Sequence, residues 1–308
     1  MNGRGDSTLL KRFDLLDRVD NKQKKGRAKF SLRLFFFVFS LIAAFVSVTF
    51  SQDISTLSET LRSGKTEEKR TALMQLRGLR SEDASRAAAA ALNDKEPMVR
   101  ATAASSVTFL PKAEASALLL PLVRDKDEFV RREAAYALGE VGDPSSAPAL
   151  IKAAGDKSLE VRSAAVAALG KVSNPSAVSS LNDILKKAPV EADELIRRAA
   201  ARSLGQIAQI MRSGTVSVLT PQNFLPEKFK DIGPKPSADP RQYFGQAVDT
   251  LIHVLDNKSE ADDTRREAAF ALGAIGDQKA ITVLNRYVSS SDPYLAEISR
   301  ESLLKLKS

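Results

Sequence analysis

The sequence of 308 residues contains no cysteine, no tryptophan and a single histidine, His253. Without cysteine the chain has no disulfide, no thiolate nucleophile and no cysteine-ligated metal site. One histidine is too few for a metal centre built from histidine ligands, and His253 lies among apolar residues with no evident acid–base partner. We therefore expect no catalytic residue, no cofactor and no metal site, and we expect that the chain is not an enzyme.

Large aromatic side chains are also scarce, with four tyrosines and no tryptophan in a sequence rich in alanine. Small side chains let the axes of packed helices approach each other closely, whereas large rings hold them apart. This composition favours an all-α protein of closely packed helices.

The net charge of +8 is concentrated at the N-terminus. Residues 1–33 hold ten lysines and arginines against four acids, a charge of +6, which leaves +2 for the rest of the chain. A nearly balanced body lacks the electrostatic footprint of proteins that bind phosphate backbones. We therefore expect no nucleic-acid partner.

An uncharged apolar run, LFFFVFSLIAAFVSVTF, follows this basic leader at residues 34–50. A basic flank before an apolar segment is the pattern of export signals. Two interpretations stay open: a signal peptide over 34–51 that is cleaved near Ser51, or an uncleaved anchor that holds the chain in the membrane. In both, residues 1–33 are a cytoplasmic leader and residues 52–308 lie outside the cytoplasm, in the periplasm or secreted. A buried core helix is a third interpretation, which three consecutive phenylalanines beside a basic tract disfavour.

Residues 52–308 are internally repetitive. An arginine opens the second helix of each unit, at spacings of 30 to 35 residues apart from one interval of 68, and a glycine follows it by eight residues in most copies. These index residues are Arg70, Arg100, Arg131, Arg162, Arg197 and Arg265, with Ala296 at the same place in the last copy. Self-similarity at a fixed period predicts a solenoid. We expect a right-handed α-solenoid of about seven two-helix units.

An acid stands six residues before the index arginine in four units. The pairs are Asp94 and Arg100, Asp125 and Arg131, Asp156 and Arg162, and Glu191 and Arg197. Stacked units bring each arginine towards its own and a neighbouring turn acid, which predicts charge-assisted hydrogen bonds along the array. Because the pair recurs with the period, we interpret it as a structural ladder rather than a catalytic site. The first, sixth and last units carry Gly64, Ser259 and Ser290 at the acid's place, so we expect a weaker ladder there.

The turn acid, the Val-Arg pair, the Ala-Ala-x-Ala-Leu-Gly segment and the Asp-Pro or Asn-Pro loops resemble the HEAT repeat, in the short form of phycobilin lyase-type repeats. The resemblance covers residues 52–308 apart from one insertion. It implies a scaffold or adaptor that binds another protein. The alternative is an enzyme or enzyme-maturation factor related to HEAT-repeat lyases. HEAT-like deoxyhypusine hydroxylases hold iron with paired His-Glu steps, which this chain lacks because its one histidine is followed by Val254.

The insertion, residues 213–240, contains five prolines and two glycines. Helices do not tolerate proline at this density. We expect a loop in place of one helix pair. Three roles stay open for it: packed cover over the solenoid, partner-binding loop or disordered segment. In the enzyme alternative it is a lid.

Positions one and five residues after the index arginine vary between copies and lie together on a helix face. In HEAT repeats the second helices line the concave side, and arginine and aromatic residues are enriched where proteins bind proteins. The alternative is ordinary solvated helix surface. The predicted partner-binding residues are Arg132, Tyr136, Arg198, Arg202, Arg266 and Phe270.

Overall fold

The computed structural model describes residues 54–213 and 239–307, and within these ranges it contains fourteen α-helices and no β-strand. The all-α prediction is confirmed. The helices are α1 (54–63), α2 (Thr66–Gly78), α3 (Glu82–Ala88), α4 (Pro97–Ser106), α5 (Lys112–Leu119), α6 (Glu128–Val141), α7 (Ala147–Ala153), α8 (Leu159–Val172), α9 (Val178–Lys186), α10 (Glu194–Ser213), α11 (Arg241–Asp256), α12 (Asp262–Ile275), α13 (Ile281–Tyr287) and α14 (Pro293–Lys307).

Several predictions fall outside the described residues. These are the basic leader at 1–33, the signal or anchor segment at 34–51 and nearly all of the 213–240 insertion. Among the helices of the described ranges, none combines the length and apolarity that a membrane span requires.

The helices form seven pairs that stack in chain order. From α2 to α14, each even-numbered helix packs against the next even-numbered helix, which makes one continuous layer. The odd-numbered partners lie beside them, and α9, α11 and α13 contact one another in turn. Each pair therefore buries its apolar face against its neighbours, as expected of a solenoid.

Turn chemistry sets the ends of the even-numbered helices. The Asp127 side chain caps α6 by accepting hydrogen bonds from the backbone N–H groups of Phe129 and Val130, at 2.9 and 3.3 Å. The helix ends at Gly142, whose φ of 63° is in the left-handed region that glycine adopts at low cost. Asp143 then caps the short 3-10 turn that leads into α7. Each repeat thus carries its own start and stop signals.

The repeated glycine lets neighbouring even-numbered helices approach closely. A Cβ atom added to Gly139 would lie 3.0 Å from the Cα of Ala168, and one added to Gly273 would lie 2.7 Å from the Cα of Ser302. Both distances are shorter than a side chain tolerates, because the opposing atoms belong to the backbone. The glycine eight residues after the index position is therefore a packing requirement of the layer.

The long interval before Arg265 does not interrupt the stack. Helices α10 and α12 pack directly against each other, and Gly205 lies so close to the Phe270 ring that an added Cβ would be 2.6 Å from it. The prediction that a loop replaces one helix pair is therefore wrong: the extra residues leave the stack between α10 and α11 and remove no pair from it.

Candidate functional site

Arginine–aspartate pairs join consecutive repeats. Arg100 donates to both carboxylate oxygens of Asp125, at 2.8 Å each, and Arg131 donates to both oxygens of Asp156, at 2.8 and 2.9 Å. The second face of each guanidinium serves its own turn, where Arg131 donates to the Asp125 carbonyl at 2.9 Å. The ladder between repeats is confirmed for these residues. The carboxylate belongs to the following repeat, and the partner in the arginine's own turn is a backbone carbonyl.

These pairs lower the pKa of the turn acids. The hydrogen bond from Arg131 holds the pKa of Asp156 below its ordinary value, against the opposing effect of burial. Burial would raise the pKa of Asp125, but hydrogen bonds from Arg100 and from the backbone N–H of Asp127 outweigh it, so that this pKa is also lowered. The acids are therefore charged and committed to the ladder at neutral pH.

The ladder breaks at the fourth repeat. Arg162 donates to the carbonyls of Asp156 and Lys157, at 3.0 and 3.2 Å, and reaches no carboxylate among the described residues. Glu191 is exposed in a short 3-10 turn before α10. The predicted link from Arg162 to Glu191 is wrong because the spacing of 35 residues between index arginines, instead of 31, displaces this turn.

The most deeply buried pair joins Arg197 to Glu260, a residue that the sequence reasoning missed. Arg197 donates to both oxygens of Glu260, at 2.7 and 2.6 Å, and the two side chains are only 3% and 2% exposed. It also donates to the Lys187 carbonyl at 2.6 Å. The expected gap at Ser259 is wrong, since the acid stands one residue later. The predicted pairing of Arg197 with Glu191 is wrong for the same reason.

The two ends of the solenoid keep the ladder with shifted residues. Lys69, rather than Arg70, donates to Asp94 at 2.7 Å. At the other end Arg266 donates to Asp292 at 2.8 Å, which gives the last unit the acid that Ser290 does not supply. Weaker pairing at the ends is therefore not observed.

Several predicted partner-binding residues are engaged within the solenoid. Arg198 donates to Asp263 at 2.8 Å, and Arg202 pairs with Glu267. Phe270 is only 9% exposed because its ring packs on the backbone of α10. Phe270 is therefore a core residue, and the arginines of α10 carry charge already neutralised by α12.

The predicted residues at the N-terminal end of the layer are more accessible. Tyr136 is exposed on α6. Arg132 lies 4.3 Å above the Phe129 ring and pairs with the adjacent Glu133 at 2.8 Å. Neither residue bridges to another repeat. Of the predicted set, these two remain available on the surface, and their binding role stays a prediction.

Two adjoining clefts open on the same surface of α2, α4 and α6, with volumes of about 480 and 220 Å³. We call this surface the N-terminal groove. Its side chains include Met74, Arg77, Arg80, Thr102, Phe109, Phe129 and Glu133. Met74 is 55% exposed and Phe109 is 39% exposed. The guanidinium groups of Arg77 and Arg80 have no ion-pair partner in the described part of the chain.

A register shift hid this groove from the sequence reasoning. Because Lys69 takes the ladder position, the unit's index residue is Lys69, which restores the 31-residue spacing to Arg100. Met74 then stands five residues after the index, as Tyr136 stands five after Arg131. The acid Asp94 at the end of this spacing was the available signal.

The single histidine takes no part in these arrangements. His253 is exposed on α11. Among the residues of the described ranges, no group of three or more histidine, aspartate or glutamate side chains is placed to hold a metal ion.

Comparison with known protein families identifies the repeats. Residues 54–139 and 116–205 match the family model for HEAT repeats, and residues 264–290 match the model for the PBS lyase HEAT-like repeat. No curated protein matches the chain in sequence.

Solved structures with a similar fold include three repeat proteins. An engineered protein is 20% identical, with a TM-score of 0.53 over 83% of this chain and 68% of its own. The CpcE–CpcF complex of phycocyanin lyase from a Nostoc species is 22% identical, with a TM-score of 0.46 over 83% of this chain and 88% of its own. A designed armadillo repeat protein in complex with the peptide (KR)4 is 17% identical, with a TM-score of 0.49 over 82% and 98%. Identities of this size indicate a shared fold alone. The matched repeats are therefore HEAT repeats, and the described part of the chain is an all-α HEAT-repeat solenoid.

Proposed function

We propose that the chain is a non-catalytic scaffold that binds another protein through its N-terminal groove and acts outside the cytoplasm. One observation carries this proposal. At the N-terminal end of the even-numbered layer, exposed Met74 and Phe109 adjoin two arginines without carboxylate partners. Towards the C-terminal end, by contrast, arginines of the same layer are paired between repeats.

The chemistry of the groove suits a protein partner. Methionine adapts its shape to irregular apolar surfaces, and arginine and aromatic residues are enriched in interfaces. The groove is formed by packed helices, so little conformational entropy is lost when a partner binds. Arg77 and Arg80 favour a partner that places acidic side chains beside an apolar anchor.

The site of action rests on the apolar run at residues 34–50, which follows a strongly basic leader. N-terminal sequencing of the exported protein tests it. A first residue of Gln52 supports a cleaved signal, and an intact leader on a membrane-bound protein supports an anchor. Recovery of the whole chain as an unprocessed cytoplasmic protein would contradict export.

Affinity capture with the full chain, followed by mass spectrometry, tests the groove. We expect a partner that is captured by the wild type and lost by the double variant Met74→Asp, Phe109→Asp. Leu195→Asp is the matched control, because Leu195 is an exposed apolar residue of α10, in the same layer but outside the groove. Equal loss with both variants, or no loss with either, would contradict the proposed site.

A second function is supported by the match of residues 264–290 to the PBS lyase HEAT-like repeat. In this alternative the chain is an enzyme or enzyme-maturation factor and the insertion at 213–240 is its lid. Deletion of residues 214–238 distinguishes the two functions. The scaffold proposal expects unchanged capture of the partner, whereas the alternative expects partner maturation or turnover to be lost while the groove variant retains it.

A further inference from the structure

A separate cleft of about 300 Å³ lies between α9 and the first turns of α11, among the odd-numbered helices. None of its lining residues is charged. Polar side chains dominate it: Ser179, Asn182, Gln242, Tyr243 and Gln246. The N-terminal groove and the arginine ladder share none of these residues.

Asn182 is the unusual residue of this cleft. Its side chain is only 3% exposed, and its Oδ1 atom has no hydrogen-bond partner within the described part of the chain. A buried polar atom left unpaired costs about 1–3 kcal/mol. The same position in the two preceding repeats, 31 and 62 residues earlier, holds Ile151 and Leu120. The fold therefore accepts an apolar side chain here, and the stability of the solenoid does not explain the amide.

The neighbouring helix leaves room beside this amide. Helix α11 has 16 residues whereas α7 and α13 have 7 each, and its first turns extend alongside α9. Gly245 is exposed there, and a Cβ added to it would meet no atom within 4 Å. Tyr243 is exposed on the same turn and offers a ring face. The extra turns of α11 thus form an open wall with an aromatic side chain.

The lining selects a chemical class of ligand. Carboxamide groups present a donor and an acceptor side by side, and adjacent hydroxyl groups of a sugar need both. A reorientation of the Asn182 amide exchanges the two, since the groups differ only in which end is the oxygen. The absence of charge among the lining residues disfavours phosphates, carboxylates and amines. An extended peptide needs a longer groove or a sheet edge.

We infer that this cleft binds a small neutral saccharide. The amides of Asn182, Gln242 and Gln246 hydrogen-bond the sugar hydroxyls, and the Tyr243 ring packs on the apolar face of the sugar. A volume near 300 Å³ is at the small end of the range for small-molecule sites, which fits one or two sugar rings. The site goes beyond the proposed scaffold function and does not depend on it.

Isothermal titration of the full chain tests the inference. The probes are glucose, galactose, mannose, N-acetylglucosamine and maltose, with inorganic phosphate and triglycine as arms for the other ligand classes. We expect saturable binding of at least one saccharide. Asn182→Ile should weaken it at least tenfold while raising the melting temperature, because the variant restores the apolar residue of the preceding repeat. Tyr243→Ala should also weaken binding, and Tyr136→Ala, on the even-numbered layer, should leave it unchanged.

Three results would overturn the saccharide site. One is the absence of saturable binding for every sugar in the panel. Another is equal sugar affinity in the wild type and in Asn182→Ile, whose raised melting temperature would show that it folds. The third is saturable binding of triglycine or phosphate with none of any sugar, which would assign the cleft to a peptide or an anion.

Discussion

Single side chains hold the repeats of this solenoid together, and the Arg197–Glu260 pair is the most buried of these links. A bidentate pair with little solvent around it gains geometry and strength together. Removing one partner leaves the other charge buried and unpaired, which costs far more than the pair contributes on its own. The ladder therefore acts mainly as a constraint on which faces of the repeats meet.

We predict that Arg197→Ala lowers the free energy of unfolding by about 3–5 kcal/mol, because it strands the Glu260 carboxylate. Arg162→Ala should lower it by only about 1 kcal/mol, since Arg162 gives up hydrogen bonds to carbonyls of its own turn and leaves no buried acid. Urea unfolding followed by circular dichroism measures both. Similar losses in the two variants would contradict the assignment of Arg197, rather than Arg162, as the bridging residue.

The lowered pKa of Asp156 predicts how stability depends on pH. Its folded pKa lies below the unbonded value of 3.8, so its contribution to stability is complete above that value and is lost as the pH falls through the folded pKa. In urea unfolding between pH 5 and pH 2, the wild type should lose stability more steeply than Asp156→Asn, which has no carboxyl group to titrate. Parallel slopes would show that the pair with Arg131 does not perturb this acid.

At the scale of the helix, glycine decides how closely two even-numbered helices pack. We predict that Gly273→Ala lowers the melting temperature, because its Cβ would lie 2.7 Å from the Cα of Ser302 and the two helices must separate. Gly78→Ala is the matched control: nothing lies within 4 Å of its Cβ, and alanine favours a helix over glycine by about 0.5–1 kcal/mol. Thermal unfolding compares them. A stable Gly273→Ala protein would contradict the packing role of the repeated glycine.

The elements themselves could be predicted from the sequence, because period, caps and glycines are local features. The index residues and the caps at Asp127 and Gly142 follow from the repeat alone. Contacts that cross repeats of unequal length could not be predicted. The intervals of 35 and 68 residues displaced Glu191 from the ladder and brought Glu260 into it. Spacing defines register only where the turn length is constant.

At the scale of the whole molecule, the solenoid has two kinds of surface. Ion pairs between α10, α12 and α14 occupy the C-terminal end of the even-numbered layer. The N-terminal groove has exposed apolar side chains and free guanidinium groups. The sequence predicted the correct layer and chemistry but the wrong end of it. Whether an arginine is free depends on acids 26 to 65 residues away, which no local pattern reveals.

Site-specific photo-crosslinking tests the docking role of the groove most directly. A photoreactive amino acid is placed in the full chain at Met74, at Phe109 and, as a control on the odd-numbered layer, at Tyr243. The account predicts that one partner protein crosslinks from the first two positions and not from the third. Crosslinking of that partner from Tyr243 alone, or from none of the three positions while capture persists, would contradict it.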